Sequence, residues 1–163
     1  SGNADELSRL FAKAGVHLLD RSSIVLDGVG FSGVKGFCGG FDRALANAFG
    51  EDLFKAWVNE GLEDARALEN ELRRLGTERR VGVLHYAPVS AAVEGEPPQI
   101  YPFLGTSHLA RALDEGGATI AFHGHAHSGS FRGRTPGGVP VLNVAVPVLQ
   151  QAGFGQPYHV FEV

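Results

Sequence analysis

Histidines are the residues of this sequence most suited to chemistry, and their spacing is uneven. Three of the seven histidines, His123, His125 and His127, alternate within five residues directly after an apolar run. Alternate residues of an extended chain project to the same side, so His125 and His127 can reach one region. His85 ends a second apolar run. Because neutral imidazole is a common ligand of transition metals, the pattern predicts a metal site formed by His85, His125 and His127.

The positions of these histidines along the predicted strands strengthen that interpretation. Ligands bind at the ends of neighbouring strands in α/β sheets, so His85 and the His125–His127 pair are expected to converge on one accessible rim. A His-x-His pair alone is only moderately specific for a metal, and a third histidine at another strand end adds to it. His17, His108 and His159 each stand alone, and we interpret them as packing or capping residues.

Composition places the chain among ordinary globular domains. Its 163 residues are 44% hydrophobic and 20% charged, which excludes a disordered or fibrous chain and predicts one domain over residues 1–163. A single cysteine, Cys38, excludes a disulfide framework, and a net charge of −4 argues against nucleic acid as a partner. Neither a membrane-spanning run nor a secretory signal is present, so we expect a cytoplasmic protein. Methionine is absent, and we expect a processed chain or a fragment.

Hydrophobic periodicity predicts an α/β or α+β fold with a mixed sheet. Helical spacing covers Asp5–Ala14, Leu45–Leu75 and Leu104–Leu113, with a break or kink at Gly61 in the second helix. Short apolar runs predict strands, and Asp27-Gly28 predicts a hairpin turn. The predicted strands are Val16–Leu19, Ser23–Leu26, Val29–Val34, Val81–Leu84, Ala118–Phe122, Val139–Val144 and Tyr158–Val163.

Two loops are predicted to have a function beyond linking these elements. Residues 33–41 are too rich in glycine for regular structure, which indicates that their backbone approaches another segment closely. Residues 90–105 form a loop of a length that compact domains rarely keep without a function.

The segments around the histidines resemble the calcineurin-like metallophosphoesterase family. Phe122-His123-Gly124-His125-Ala126-His127 looks like the Gly-His-x-His motif that closes the family, and Leu84-His85-Tyr86-Ala87-Pro88 looks like the metal-histidine motif before it. Asp27–Phe41 and Ile100–Gly105 are similar to the middle region of bacterial members of unassigned substrate. The similar segments run over nearly the whole chain and follow the family's order.

The resemblance implies an α/β fold that is the C-terminal half of a four-layer α/β/β/α metallophosphoesterase sandwich with a mixed sheet. It also implies two divalent transition metal ions, for which manganese, iron, zinc and nickel are all suitable. His85 and His125 would bind one metal and His127 the other, and the metals would activate a hydroxide that hydrolyses a phosphomonoester or phosphodiester. His123 lies outside the motif and would pack or support a ligand. Substrate contacts could come from four further residues, although a solvated surface role suits each of them better: Lys35, Tyr86, Arg132 and Arg134.

The sequence departs from the family in its metal-binding carboxylates. It contains no Asp-x-His and no Gly-Asp, the motifs that supply the bridging aspartate and most ligands of the first metal. Gly2-Asn3-Ala4-Asp5 resembles a degenerate form of a third motif, Gly-Asn-His-Asp, in which Asn3 would be a ligand. The short distance from Asp5 to Gly15 favours two alternatives: the true motif lies upstream, or Ser1–Ala4 includes residues introduced by cloning.

Two functions from different classes remain. The first is a metallophosphoesterase acting on a phosphoester small molecule or a phosphorylated substrate, with its other half outside this sequence or on another chain, so that the isolated chain is weak or inactive. The second is a non-catalytic module that binds metal or a partner. A third, weaker hypothesis is an unrelated single-metal histidine enzyme. Its cupin form requires a glutamate soon after the histidine pair, and residues 128–134 contain none.

The predicted strands also bear on partners. They are apolar at nearly every position, as in strands that are covered on both faces. The helices of this chain can cover only one face, and soluble monomers rarely leave a large apolar patch exposed. We therefore expect either a missing N-terminal half or a second copy of the chain, in a two-fold homodimer, to cover the other face.

Overall fold

The computed structural model describes residues 3–162. Within them the chain alternates helices and strands, with short 3₁₀ turns in its loops. The elements are α1 (Ala4–Lys13), β1 (Ser22–Leu26), β2 (Val29–Val34), α2 (Asp52–Arg74), β3 (Arg79–Leu84), α3 (Tyr101–Leu104), α4 (Ser107–Gly116), β4 (Ile120–His123), β5 (Arg132–Arg134), β6 (Pro140–Asn143) and α5 (Val146–Gln151).

The strands of the described residues form one mixed sheet in the order β1-β2-β3-β4-β6-β5. β2, β3, β4 and β6 are parallel, whereas β1 and β5 join the two edges in antiparallel pairing. Helical crossovers through α2 and α4 connect the first two parallel pairs, as parallel pairing requires. Helices lie on both sides of the sheet, and the prediction of an α/β fold with a mixed sheet is confirmed.

Most predicted elements are present with slightly different bounds. The hairpin turn at Asp27-Gly28 is confirmed, with φ of 48° and 81° at its two residues, the left-handed pair that a two-residue hairpin favours. The predicted helix Leu104–Leu113 is divided into α3 and α4, because Thr106 adopts an extended conformation and caps α4 by accepting a hydrogen bond from the His108 amide. The predicted helix Leu45–Leu75 begins only at Asp52.

Two predicted strands are wrong. Val16–Leu19 has apolar alternation but no strand partner, and it runs as an irregular segment between α1 and β1. Residues 158–162 are also irregular, and Val163 lies outside the described residues. The C-terminal segment packs through its side chains, for example Phe161 against Phe122 at 6.0 Å between ring centroids. Neither β5 nor α5 was predicted, because Arg132–Arg134 is polar and α5 is only six residues long.

One face of the sheet carries the main core, and α2 and α4 cover it. Leu68 and Leu72 of α2 and Leu109 and Leu113 of α4 are fully buried there. Burying side chains of this size stabilises the fold by about 1.5–3 kcal/mol each, so these helices and strands hold one another in place. Within residues 3–162, no helix combines the length and the apolar character needed to cross a membrane.

Gly61 does not break α2, so the prediction of a break there is wrong. The helix continues through it from Asp52 to Arg74. Gly61 instead permits a close approach between α2 and Cys38, because a Cβ atom at this position would lie 3.1 Å from the carbonyl oxygen of Cys38. The absence of a side chain therefore lets α2 pack directly on the glycine-rich loop of residues 33–41.

The other face of the sheet is only partly covered. Val81, Ile120 and Leu142 form a smaller buried cluster on this face. Val83, however, is 38% exposed although its strand lies between β2 and β4 in the sheet. The apolar side chains of α1 are exposed as well, namely Leu7, Leu10 and Phe11. Val83 on this face and the apolar side chains of α1 are thus accessible to solvent.

Backbone hydrogen bonds join the two loops that the sequence singles out. Gly39 donates to the Pro102 carbonyl at 2.8 Å, and Gly40 donates to the Gly105 carbonyl at 2.9 Å. The loop of residues 90–105 is also bonded to the segment after β3, because the Ala87 amide donates to the Leu104 carbonyl at 3.0 Å. The glycine-rich loop of residues 33–41 therefore has the close backbone contacts that its glycines predict.

We expect Gly105→Ala to lower the free energy of unfolding by about 2–3 kcal/mol. A Cβ atom at Gly105 would lie 1.9 Å from the Ala87 carbonyl oxygen, and this backbone cannot yield as a side-chain end would. Gly76→Ala is the matched control, because a Cβ atom there meets nothing within 4 Å. Urea unfolding measures both. Equal stability of the two variants would contradict the close approach.

We also expect the isolated chain to bind a hydrophobic dye and to self-associate, because its second sheet face is only partly covered and leaves Val83 exposed. Val83→Thr should weaken both effects several-fold. Val25→Thr is the control, since Val25 is 50% exposed on the opposite face of edge strand β1. Light scattering after size exclusion and dye fluorescence make the measurement. A monomer at high concentration that binds no dye would refute this expectation.

Candidate functional site

The parallel strands β3 and β4 bring two of the three predicted metal ligands together at their carboxyl ends. His85 directly follows β3, and His125 lies two residues beyond the end of β4. Their ring centroids are 4.7 Å apart. The Gly124 amide donates to the His85 carbonyl at 3.2 Å, so the backbone itself keeps the two strand ends in register.

A strained turn presents the His125 ring. The Ala126 amide donates to the Gly124 carbonyl at 2.7 Å, which closes a three-residue turn centred on His125. Its φ of 64° is in the left-handed region, where residues other than glycine are uncommon. Strain of this kind persists only where the surroundings enforce it, and it is concentrated at functional sites.

Asn143, at the end of β6, is one of the groups that enforce this turn. The side chain is fully buried, and its amide donates to the Ala126 carbonyl at 2.8 Å and to the Ala92 carbonyl at 3.4 Å. Its own oxygen accepts a hydrogen bond from the Ala145 amide at 3.1 Å. The loop between His125 and His127 is therefore fastened to a third strand end.

A hydrogen bond assigns the tautomer of His125. Nε2 lies 3.2 Å from the carbonyl oxygen of Phe103, which can only accept, so Nε2 carries the hydrogen and donates. The lone pair of the neutral ring is then on Nδ1. Histidines that bind metals commonly donate their other ring nitrogen in this way, which fixes both ring orientation and tautomer.

His127 is placed near the other two histidines but apart from them. It is exposed and follows the fully buried Ala126. Its charge contributes to lowering the pKa of His85, so the two rings share one neighbourhood. Among residues 3–162, however, no group of three His, Cys, Asp or Glu side chains is close enough to hold a metal ion. The structure therefore pairs His85 with His125 and leaves His127 beside the pair.

The surroundings keep His85 neutral. Partial desolvation against Tyr86 is the main cause that lowers its pKa, followed by the charges of His125, His127 and Lys35. A lowered pKa keeps a free lone pair on the imidazole at neutral pH, which is the form that binds a metal.

His123 lies behind this pair and is 1% exposed. Its Nδ1 donates to the Gly124 carbonyl at 2.8 Å, while its Nε2 has no hydrogen-bond partner among residues 3–162. Burial lowers its pKa to about 4. His123 thus packs below the rim as a neutral ring, in agreement with its position outside the predicted motif.

Tyr86 and Lys35, two of the predicted substrate contacts, border the histidine pair. The Tyr86 ring lies 4.3 Å from that of His125, and burial raises the pKa of its hydroxyl. The Lys35 carbonyl accepts hydrogen bonds from the amides of His85 and Tyr86 at 3.0 and 3.1 Å. Its ammonium lies 4.8 Å above the Phe37 ring.

The two predicted arginine contacts are on edge strand β5, with their side chains engaged there. The Arg132 guanidinium lies over the Phe131 ring at 5.1 Å, and Arg134 donates to the Gly138 carbonyl. These contacts agree with the surface role that the sequence favours for both residues.

The remaining histidines and the N-terminal segment lie elsewhere. His159 packs among phenylalanine rings, His108 is half-buried on α4, and His17 is exposed before β1. Of the Gly2-Asn3-Ala4-Asp5 segment, Gly2 lies outside the described residues. Asn3 precedes α1 and makes no side-chain capping hydrogen bond.

Sequence reasoning missed two groups that shape the site. Asn143 could have been found, because it is a polar residue at the end of an apolar strand beside the histidine strands. The Phe103 carbonyl could not, because a backbone acceptor in a loop leaves no mark in the sequence.

Folding stability should fall between about pH 6.5 and pH 4 because of His123. The folded state keeps this ring neutral down to about pH 4, whereas the unfolded chain binds a proton near 6.5. The unfolded state then binds more protons, so acid favours it, by at most about 3 kcal/mol at the lower limit. Urea unfolding against pH with chelator present measures the slope. His123→Asn should flatten it and the control His17→Asn should not; an unchanged slope in His123→Asn would contradict the assignment.

Comparison with known proteins gives no family. No family model matches the chain, and no curated protein matches it. A solved crystal structure superposes on 87% of this chain and 50% of its own length, with a TM-score of 0.49 and 16% sequence identity. The chain thus spans about half the length of that structure.

Proposed function

We propose that this chain supplies the histidine half of a metal-dependent phosphoesterase site, and that its sheet is one half of the four-layer sandwich of calcineurin-like enzymes. The observation that supports this most directly is the His85–His125 pair, 4.7 Å apart at the carboxyl ends of two parallel strands. The second sheet would pack on the open face around Val83. The proposed substrate is a phosphomonoester or a phosphodiester.

The donor set suits one divalent transition metal and not a dinuclear centre. Two imidazoles, one with its tautomer fixed by the Phe103 carbonyl, are suitable ligands for manganese, iron, zinc or nickel. When bound, a divalent metal ion acts as a Lewis acid toward phosphoryl oxygens. The carboxylates that a second ion requires are absent near the pair within the described residues. In the proposed enzyme they come from outside this sequence, as Asp-x-His and Gly-Asp motifs.

The residues around the pair have separate tasks in this proposal. Gly124 and Asn143 hold the two strand ends and the turn in place through backbone contacts. The Tyr86 ring packs against the His125 ring at 4.3 Å between centroids and restricts its orientation. Lys35 brings a positive charge near His85, where it favours an anionic phosphoryl group.

A non-catalytic module that binds metal or a partner is the alternative. Among residues 3–162 no group of three His, Cys, Asp or Glu side chains could hold a metal ion, and a module that binds a partner needs no such group. Measuring metal binding and hydrolysis separately distinguishes the two hypotheses.

Zinc titration followed by calorimetry tests the metal site. We expect close to one ion per chain, and at least a tenfold loss of affinity in His125→Gly and His85→Ala. Glycine is chosen at His125 because it tolerates the φ of 64° that alanine would strain. His17→Gly is the matched control at an exposed histidine. Full zinc affinity in His125→Gly would remove the proposed site.

Hydrolysis of a chromogenic phosphodiester by the isolated chain should be close to background. The described residues lack the carboxylates needed for a two-metal clamp. Brisk metal-dependent turnover that disappears in His125→Gly would show that the chain is complete by itself. Zinc binding without turnover, even after the upstream sequence of the parent gene is added, would instead favour the non-catalytic module.

A further inference from the structure

An apolar groove of about 680 Å³ is lined in part by Phe103, whose carbonyl contacts His125. It lies between the first turns of α2 and the segment around α3. The residues that shape it are Glu51, Leu53, Phe54, Trp57, Pro102 and Phe103. Leu53 is 84% exposed at its edge, so the groove is open to a ligand from solvent. We call this surface the aromatic groove.

Phe103 is shared by the aromatic groove and the surroundings of His125. Phe103 forms one wall, and its carbonyl is the group that accepts the hydrogen bond from His125 Nε2. Rings also connect the two places: Tyr86 lies 4.3 Å from His125, Phe37 lies 5.9 Å from Tyr86, and Trp57 lies 6.0 Å from Phe37. Phe103 is therefore the residue over which a molecule that spans the two places would pass.

The lining selects the chemistry of that molecule. Among the described residues that line the aromatic groove, Glu51 alone is ionisable, and the indole N–H of Trp57 is the other polar side-chain group. A sugar or nucleobase would leave most of its hydrogen-bonding groups unpaired there, which costs affinity. The negative charge of Glu51 disfavours a phosphoryl group in the groove itself. Hydrocarbon is the occupant that this surface suits.

The wall formed by Phe103 is held in place. Cys38 Sγ approaches the Phe103 carbonyl at 3.6 Å, and the Gly39 amide donates to the Pro102 carbonyl at 2.8 Å. On the opposite wall Phe54 stacks on Trp57 at 5.6 Å. The groove is thus largely formed before a ligand arrives, as binding sites for small molecules usually are.

We propose that the substrate is an amphiphilic phosphoester, with its phosphoryl group at His85 and His125 and an alkyl chain in the aromatic groove. This inference rests on the proposed phosphoesterase function and narrows its substrate class. Transfer of the alkyl chain from water into the groove increases the affinity of the ligand, while His85 and His125 select the phosphoryl group.

Trp57 is the only tryptophan of the sequence, so its fluorescence reports on the groove directly. We would titrate the chain, in the presence of manganese, with butyl, hexyl, octyl and decyl phosphate below their micelle concentrations. Affinity should rise two- to fourfold for each added methylene, because each one buried is worth about 0.8 kcal/mol. The same affinity for butyl and decyl phosphate would overturn the inference.

A charged substitution at the edge of the groove provides the variant test. Leu53→Asp should weaken the binding of decyl phosphate at least tenfold. An acidic residue suits the first turn of α2, so the fold is kept. Phe49→Asp is the matched control, because Phe49 is equally exposed at 84% but does not line the groove. Equal losses of affinity in the two variants would show that the alkyl chain binds outside the aromatic groove.

Decyl alcohol separates this inference from the proposed function. The phosphate should bind more tightly than the alcohol, and His125→Gly should abolish the difference. Equal affinity for alcohol and phosphate in the unaltered chain would mean that the groove binds hydrocarbon without connection to the histidines, and the inference would fail. If the protein binds zinc but its affinity for alkyl phosphates does not depend on the length of the alkyl chain, the inference is rejected while the proposed metal site stands.

Discussion

The close backbone contact between Gly105 and Ala87 is the constraint on which the site depends. At this contact the segment around α3 meets the segment that follows β3. A Cβ atom at Gly105 would lie only 1.9 Å from the carbonyl oxygen of Ala87. The same segment carries Phe103, whose carbonyl orients His125 and whose ring forms a wall of the aromatic groove. A larger residue at Gly105 would displace both together. Site and groove are therefore positioned by one piece of backbone packing.

The histidine rim shows how a rigid sheet supports a strained turn. β3, β4 and β6 end side by side, and each contributes one group: His85, the turn at His125, and Asn143. The left-handed conformation of His125 is unfavourable by itself. It is maintained because Asn143 holds the turn and Phe103 holds the ring. The strain is thus offset by contacts to parts of the chain far apart in sequence.

The sequence predicts the elements better than the contacts between them. Strands such as Val29–Val34 follow from apolar periodicity, and the pairing of His85 with His125 follows from the rule that parallel strands end at one edge. Val16–Leu19 was wrongly predicted as a strand because periodicity cannot tell whether a partner strand is available. Gly61 was predicted as a break because propensity describes the helix alone, whereas its neighbour is the carbonyl of Cys38. Contacts of this kind depend on the packed fold and leave no local pattern.

The single thiol of the chain lies at the junction of these parts. Cys38 is buried, burial raises the pKa of its thiol, and its sulfur faces the Phe103 carbonyl. Alkylating reagents attack thiolates that solvent can reach, so Cys38 is protected as long as the glycine-rich loop and the α3 segment stay together. Its rate of alkylation under native conditions is therefore set by how often that junction opens. The chain thus contains its own kinetic reporter for the local unfolding of the region that carries the site.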